Sequence, residues 1–90
     1  MKNENNIRLN LSIEDEVVRL EFSATWPKAI FFEDEYDLNV LKQLSEETDV
    51  EVYEIILKGL FVELQHLGIT VSYEDEMMIK DKIKSFIQTA

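Results

Sequence analysis

Ile7, Leu9, Leu11 and Ile13 alternate with Arg8, Asn10 and Ser12, and Val18, Leu20, Phe22 and Ala24 alternate with Arg19, Glu21 and Ser23. A period of two over each run predicts two half-buried strands. A two-residue turn at Glu14-Asp15 sets Leu11 against Val18, Leu9 against Leu20 and Ile7 against Phe22 on one face. Arg8 then meets Glu21 on the other as an opposite-charge pair. Trp26-Pro27 interrupts the alternation, and Ala29 to Phe32 reads as a third, edge strand, where proline is tolerated. In that reading Phe31 lies beside Phe22 in the core, and Ile30 and Phe32 point to the opposite face.

From Asp37 the period lengthens to that of a helix. Asp37 is placed to cap a helix carrying Leu38, Leu41 and Leu44 and running to about Glu47. Thr48-x-x-Glu51 has capping-box spacing and predicts the start of a longer helix that is apolar around most of its circumference, hence central and buried. Gly68 stops it. Ser72-x-x-Asp75 opens a last helix, with Glu74, Asp75 and Glu76 at its positive end; Ile69 to Tyr73 could instead form a short strand.

The expected fold is therefore α+β: an N-terminal antiparallel meander of about three strands, over 6–33, packed against three C-terminal helices near 38–47, 50–67 and 74–88. The expected core comprises Leu9, Leu11, Leu20, Phe22, Leu41, Leu44, Ile56, Leu60, Leu64, Ile83 and Phe86. A single domain accounts for all 90 residues, with residues 1–5 expected to be flexible.

The sixteen positions from Leu41 to Ile56, with Leu41, Leu44, Thr48, Val52, Ile55 and Ile56 as their apolar and turn markers, resemble the helix pair of ribbon-helix-helix repressors. In that family a short helix, a tight turn and a longer helix build a dimer core, and a preceding basic or polar ribbon reads the major groove. The resemblance implies a dimeric DNA-binding regulator. Here the preceding strand is Ala29-Ile30-Phe31-Phe32, three acids follow it, and Asp49 stands at the usual turn glycine.

Charge pulls the functional reading elsewhere. Nine Lys and Arg against nineteen Asp and Glu give a net charge of −10, which repels phosphate and argues against direct binding to nucleic acid or anionic lipid. The absence of cysteine excludes thiolate metal sites and thiol nucleophiles and fits a cytoplasmic location. No apolar run has the length of a membrane span, and Met1 to Asn10 lacks the core of a signal peptide. No catalytic motif, cofactor loop or metal-ligand spacing stands out, so no enzyme activity, cofactor or metal is expected. Glu63-x-x-His66 has the spacing of half a di-iron motif, but the chain has a single histidine. Glu63 itself falls on the apolar side of its helix, so it is either exposed at the helix end or partly buried beside a Lys or Arg.

Acids gather at Glu14-Asp15-Glu16 and Glu33-Asp34-Glu35, with Trp26 and Tyr36 as aromatic neighbours. These eight residues are the candidate binding set. In size and charge the chain resembles anti-CRISPR, anti-restriction and nuclease immunity proteins. That resemblance implies an inhibitor of a protein with a basic nucleic-acid-binding surface, acting by nucleic-acid mimicry. An accessory subunit that buries the apolar face of the third strand is the remaining alternative, and a homodimer stays open.

Overall fold

The computed structural model describes residues 7–25 and 28–89. Three strands, β1 (Arg8–Glu14), β2 (Val17–Ala24) and β3 (Ile30–Asp37), precede three helices, α1 (Leu38–Thr48), α2 (Val52–His66) and α3 (Tyr73–Thr89). The strands form one antiparallel sheet in the order β1-β2-β3, so the chain has the expected α+β arrangement. Trp26-Pro27, read as the second turn, and residues 1–5 lie outside the described residues.

The first hairpin turns at Asp15-Glu16, one residue later than expected. Both residues take positive φ, 52° and 64°, as the tightest hairpin turns require. The partners slide by two while the faces stay the same: Leu9 opposes Phe22, Leu11 opposes Leu20 and Ile13 opposes Val18. This register adds Ile13 to the inward cross-strand pairs, where a turn at Glu14-Asp15 would have set it against Glu16. Glu21 consequently faces Asn10, and Arg8 faces Ser23, so the expected Arg8–Glu21 pair does not form.

The frame of β3 is the reverse of the expectation. Phe32 opposes Phe22 and stacks on it, with ring centroids 5.2 Å apart, while Phe31 is 61% exposed. Ile30 and Phe32 pack against the core rather than pointing to the opposite face. The choice of frame follows from the acids beyond. With Phe31 inward, Glu33 and Glu35 would both enter the core; with Phe32 inward, Asp34 alone does, and Tyr36 joins the apolar side. The strand also runs to Asp37, five residues past Phe32, so Glu33, Asp34 and Glu35 lie within a strand rather than in a loop.

Asp37 caps α1, accepting from the backbone N–H groups of Asn39 at 2.9 Å and Val40 at 3.4 Å. The expected capping box at the start of α2 does not form. Thr48 ends α1 with its hydroxyl donating to the Leu44 carbonyl, and Glu51 precedes α2 without a side-chain cap. Asp49 makes the turn between the helices at φ 58°. Gly68, at φ 73°, closes α2: its N–H donates to the Gln65 carbonyl and that of Ile69 to the Leu64 carbonyl. These paired bonds, with buried Leu64 and Ile69 beside them, form a Schellman end. Ser72 caps α3 through Asp75 N–H at 3.1 Å, and Ile69–Ser72 is irregular rather than a strand.

The helices cover one face of the sheet, with α1 beside β3, α3 beside β1 and α2 touching both helices. Leu9, Leu20, Phe22, Leu41, Ile56, Leu60, Leu64 and Ile83 are buried as expected, joined by Val18, Ala24, Ile69 and Ile79. Leu11 and Phe86 are half-buried at its margin. Leu44 is 40% exposed, because α1 lies at the edge of the layer and turns only Leu41 fully inward. Nor is α2 buried on all sides: Ile56, Leu60 and Leu64 form its inner stripe, and Val62 faces solvent. Lys84 of α3 lies over the Tyr53 ring of α2, 5.5 Å from its centroid. No helix among the described residues is long and apolar enough to cross a membrane.

Candidate functional site: the open face of the sheet

The helices leave the other face of the sheet to solvent. Residues alternate along a strand, so this face collects Glu14 from β1, Arg19 and Glu21 from β2, and Phe31, Glu33 and Glu35 from β3. Register brings them together. Arg19 opposes Glu35 and Glu21 opposes Glu33, while Glu14, Val17 and Asp37 lie in one row across the sheet. Glu14 of the first acidic run and Glu33 and Glu35 of the second thus share one face of the sheet.

Arg19 is the cation at the centre of this surface. Its Nη2 and Nε donate to Glu35 Oε2 at 2.9 and 3.3 Å, and Nε lies 4.0 Å from Glu33 Oε2. The hydrogen bond to Glu35, then the charges of Glu35, Glu33 and Glu21, push its pKa above the ordinary arginine value. One guanidinium cannot balance this group. Glu21 and Glu33 remain directly opposite one another across the strands, an arrangement that costs stability because like charges repel at this separation.

A shallow hollow of about 270 Å³ opens at the turn end of the face. Glu14, Asp15 and Glu35 line it together with Ser12, Val17 and Arg19. Glu16, the third member of the first run, points elsewhere. Its carboxylate accepts from the Asn39 side chain and its carbonyl from Leu38 N–H, tying the hairpin turn to the start of α1. A hollow with three carboxylates and exposed walls suits an ammonium or guanidinium group presented from outside. Among the described residues no group of three or more His, Asp or Glu side chains is arranged to hold a metal ion.

The second acidic run is split by the strand. Glu33 and Glu35 stand on the open face, whereas Asp34 points under the helices. Tyr36 shares that inner face, half-buried, and its hydroxyl packs against Gly59 of α2. Burial, then the charges of Asp34 and Glu63, push the Tyr36 pKa up to about 12. Asp34 and Tyr36 therefore do not belong to the open surface. Of the eight residues expected there, Glu14, Asp15, Glu33 and Glu35 meet on it; Glu16 supports the turn, and Trp26 lies outside the described residues. Sequence reasoning passed over Arg19 and Glu21 as members of the group, although their outward positions in the alternation already placed them on this face.

The helix layer has a concavity of its own, about 660 Å³, between α2 and the Ile69–Val71 segment. Its walls are mainly Leu57, Phe61, Val62, Leu64, Ile69 and Val71, and it carries no comparable gathering of charge. Compared with family models, curated proteins and solved structures, the chain matches none.

Proposed function

We propose that the chain is a non-enzymatic binding protein that occupies the basic nucleic-acid site of another protein, with the open face of the sheet as its contact surface. The observation that carries this reading is the Glu21–Glu33 opposition beside the carboxylates around Arg19. A sheet face shaped only for stability would alternate charges across its strands, whereas this one holds like charges in register. Its excess of carboxylates matches the net charge of −10 and supports long-range steering towards a positive partner. Inhibition of the anti-CRISPR, anti-restriction or nuclease-immunity kind is the proposed consequence, since a covered nucleic-acid site cannot take its substrate.

Affinity capture from a lysate of the source organism tests this, using tagged wild type and a Glu14→Gln, Asp15→Asn, Glu35→Gln variant, with nuclease-treated lysate and mass spectrometry. The reading expects a basic nucleic-acid-binding protein retained by wild type at low salt and depleted with the variant. Equal retention by both would refute it. A mobility shift of bare duplex DNA by the purified chain would instead favour a DNA-binding regulator.

A further inference from the structure

Under the helices, on the inner face of β3, Asp34 stands between Phe32 and Tyr36 in the alternation and opposite Leu20 of β2. Its Oδ2 is buried and, among the described residues, is the one buried side-chain oxygen or nitrogen without a hydrogen-bond partner. Facing it from α2 is Glu63, half-buried, one turn past Gly59 and Leu60. The Tyr36 hydroxyl, from the same face of β3 as Asp34, packs against Gly59, one turn before Glu63 on α2, so the two carboxyl groups share one side of the β3–α2 contact. Two carboxylates are both acceptors and cannot bond, but a carboxyl and a carboxylate can.

The surroundings offer no Lys or Arg partner. From β3 the Tyr36 hydroxyl faces the pair, and from α2 His66 lies one turn on from Glu63. Neither α1, which packs on β3, nor α3, which packs on α2, brings a cation to it. Among the described residues the only Lys or Arg nitrogen within 4.0 Å of a carboxylate belongs to Arg19, on the opposite face of the sheet. The Lys or Arg partner that the helical pattern offered as one alternative for Glu63 is absent among these residues.

We propose that Asp34 and Glu63 share a single proton and act as a proton-operated latch between β3 and α2. With the proton in place, one carboxyl donates to the other and the seam is closed. When the proton leaves to solvent, two like charges face each other in a partly dry seam and push the strand and helix apart. Burial, then the charge of Asp34 and its hydrogen bond, raise the Glu63 pKa above the ordinary carboxylate range, against the opposing effect of His66. The folded chain therefore holds this proton more tightly than the unfolded chain. The stabilisation is complete below the ordinary glutamate range and is lost as pH rises through the raised value of Glu63. This latch does not depend on the identity of any partner.

Thermal melts between pH 4 and pH 8 test the latch, on wild type, Glu63→Gln and Asp34→Asn, with Asp81→Asn on the exposed side of α3 as a one-charge control. The glutamine amide donates to Asp34 at every pH. Glu63→Gln is expected to match wild type at pH 4 and to melt about 4 °C or more above it at pH 8. The control, which removes the same single charge at pH 8, should rise there by far less than Glu63→Gln. A Glu63→Gln difference that stays constant with pH would overturn the proposal. Should either pair variant fail to fold, carboxyl-carbon NMR of wild type decides the matter. The latch requires the pair to lose its protons in two separated steps, the second above the ordinary range, and a single step near pH 4 at both carbons would overturn it.

Discussion

Phe32 stacks on Phe22 across the β2–β3 ladder, ring centroids 5.2 Å apart and planes 22° from parallel. This contact marks the frame of β3, and that frame fixes the face on which each following acid lies. Glu33 and Glu35 go to the open face, and Asp34 goes under α2.

Truncating the two neighbouring rings should therefore have unequal effects. Phe32→Ala removes a ring from the core and is expected to lower unfolding stability by about 3 kcal/mol. Phe31→Ala removes a ring that is 61% exposed and should stay within about 0.5 kcal/mol of wild type. Urea denaturation of both variants measures the difference. Similar losses would mean that the frame of β3 is wrong.

The α1–α2 turn makes a second prediction. Asp49 holds φ at 58°, a conformation glycine reaches without a Cβ clash. Asp49→Gly should raise stability by about 0.5 to 1 kcal/mol, or about 4 °C in Tm, whereas Asp49→Ala should lower it. Calorimetry of the three proteins gives the order, and Ala ranking above Gly would contradict the turn geometry.

How much of this was legible in the sequence depended on which symmetry each signal carried. Alternation in β1 and β2 placed every side chain on its correct face, because a slide of two residues preserves the faces while changing the partners. The turn itself was poorly marked: neither candidate pair carries the usual glycine, and only the preference for Asp at the first central position favoured Asp15-Glu16. In β3 the run Ile30-Phe31-Phe32 is apolar at consecutive positions and has no readable frame of its own. The discriminating signal lay further on, where Tyr36 and Glu35 occupy alternate faces. Asp37, Gly68 and Ser72 were read correctly because a cap is a local bond. Thr48-x-x-Glu51 misled because the left-handed Asp49 takes the chain out of capping geometry. Asp34 and Glu63 are 29 positions apart in sequence, and only the placement of Glu63 on an apolar helix face hinted that something charged was buried there.

Gly59 and Tyr36 form a coupled pair. A Cβ on Gly59 would lie 3.1 Å from the Tyr36 hydroxyl oxygen, close enough to oppose the gain of about 1 kcal/mol that alanine brings to a helix interior. Removing the oxygen frees that gain. Gly59→Ala should be more favourable in a Tyr36→Phe background than in wild type by about 0.5 kcal/mol or more, and a double-mutant cycle measures the coupling. Additive effects would show that the two residues do not touch.

Tyr36 also predicts an alkaline loss of stability. Its pKa is raised to about 12, by burial first and by Asp34 and Glu63 next, so the unfolded chain gives up this proton at lower pH than the folded one. The stability it contributes is complete below the ordinary tyrosine value near 10 and falls as pH rises from there towards 12. Tyr36→Phe should flatten this part of the stability curve. A slope identical to wild type between pH 10 and 12 would place the hydroxyl in solvent.

The Glu21–Glu33 opposition gives a prediction that bears on function. Glu21→Gln removes one of two like charges in register and should raise stability by about 0.2 to 0.5 kcal/mol. The same substitution should weaken binding to the captured partner. A variant that becomes less stable, or binds more tightly, would argue against a face that keeps its repulsion for the sake of binding.

The most direct test of the acidic face is the rate at which the chain associates with its captured partner as salt rises from about 50 to 300 mM, for wild type and for the Glu14→Gln, Asp15→Asn, Glu35→Gln variant. Screening shortens the reach of exposed charge over this range, so the wild-type on-rate is expected to fall about tenfold. The variant should start slower and fall less steeply, with the fold unchanged by circular dichroism. On-rates that coincide for the two proteins at every salt concentration would contradict binding through this surface.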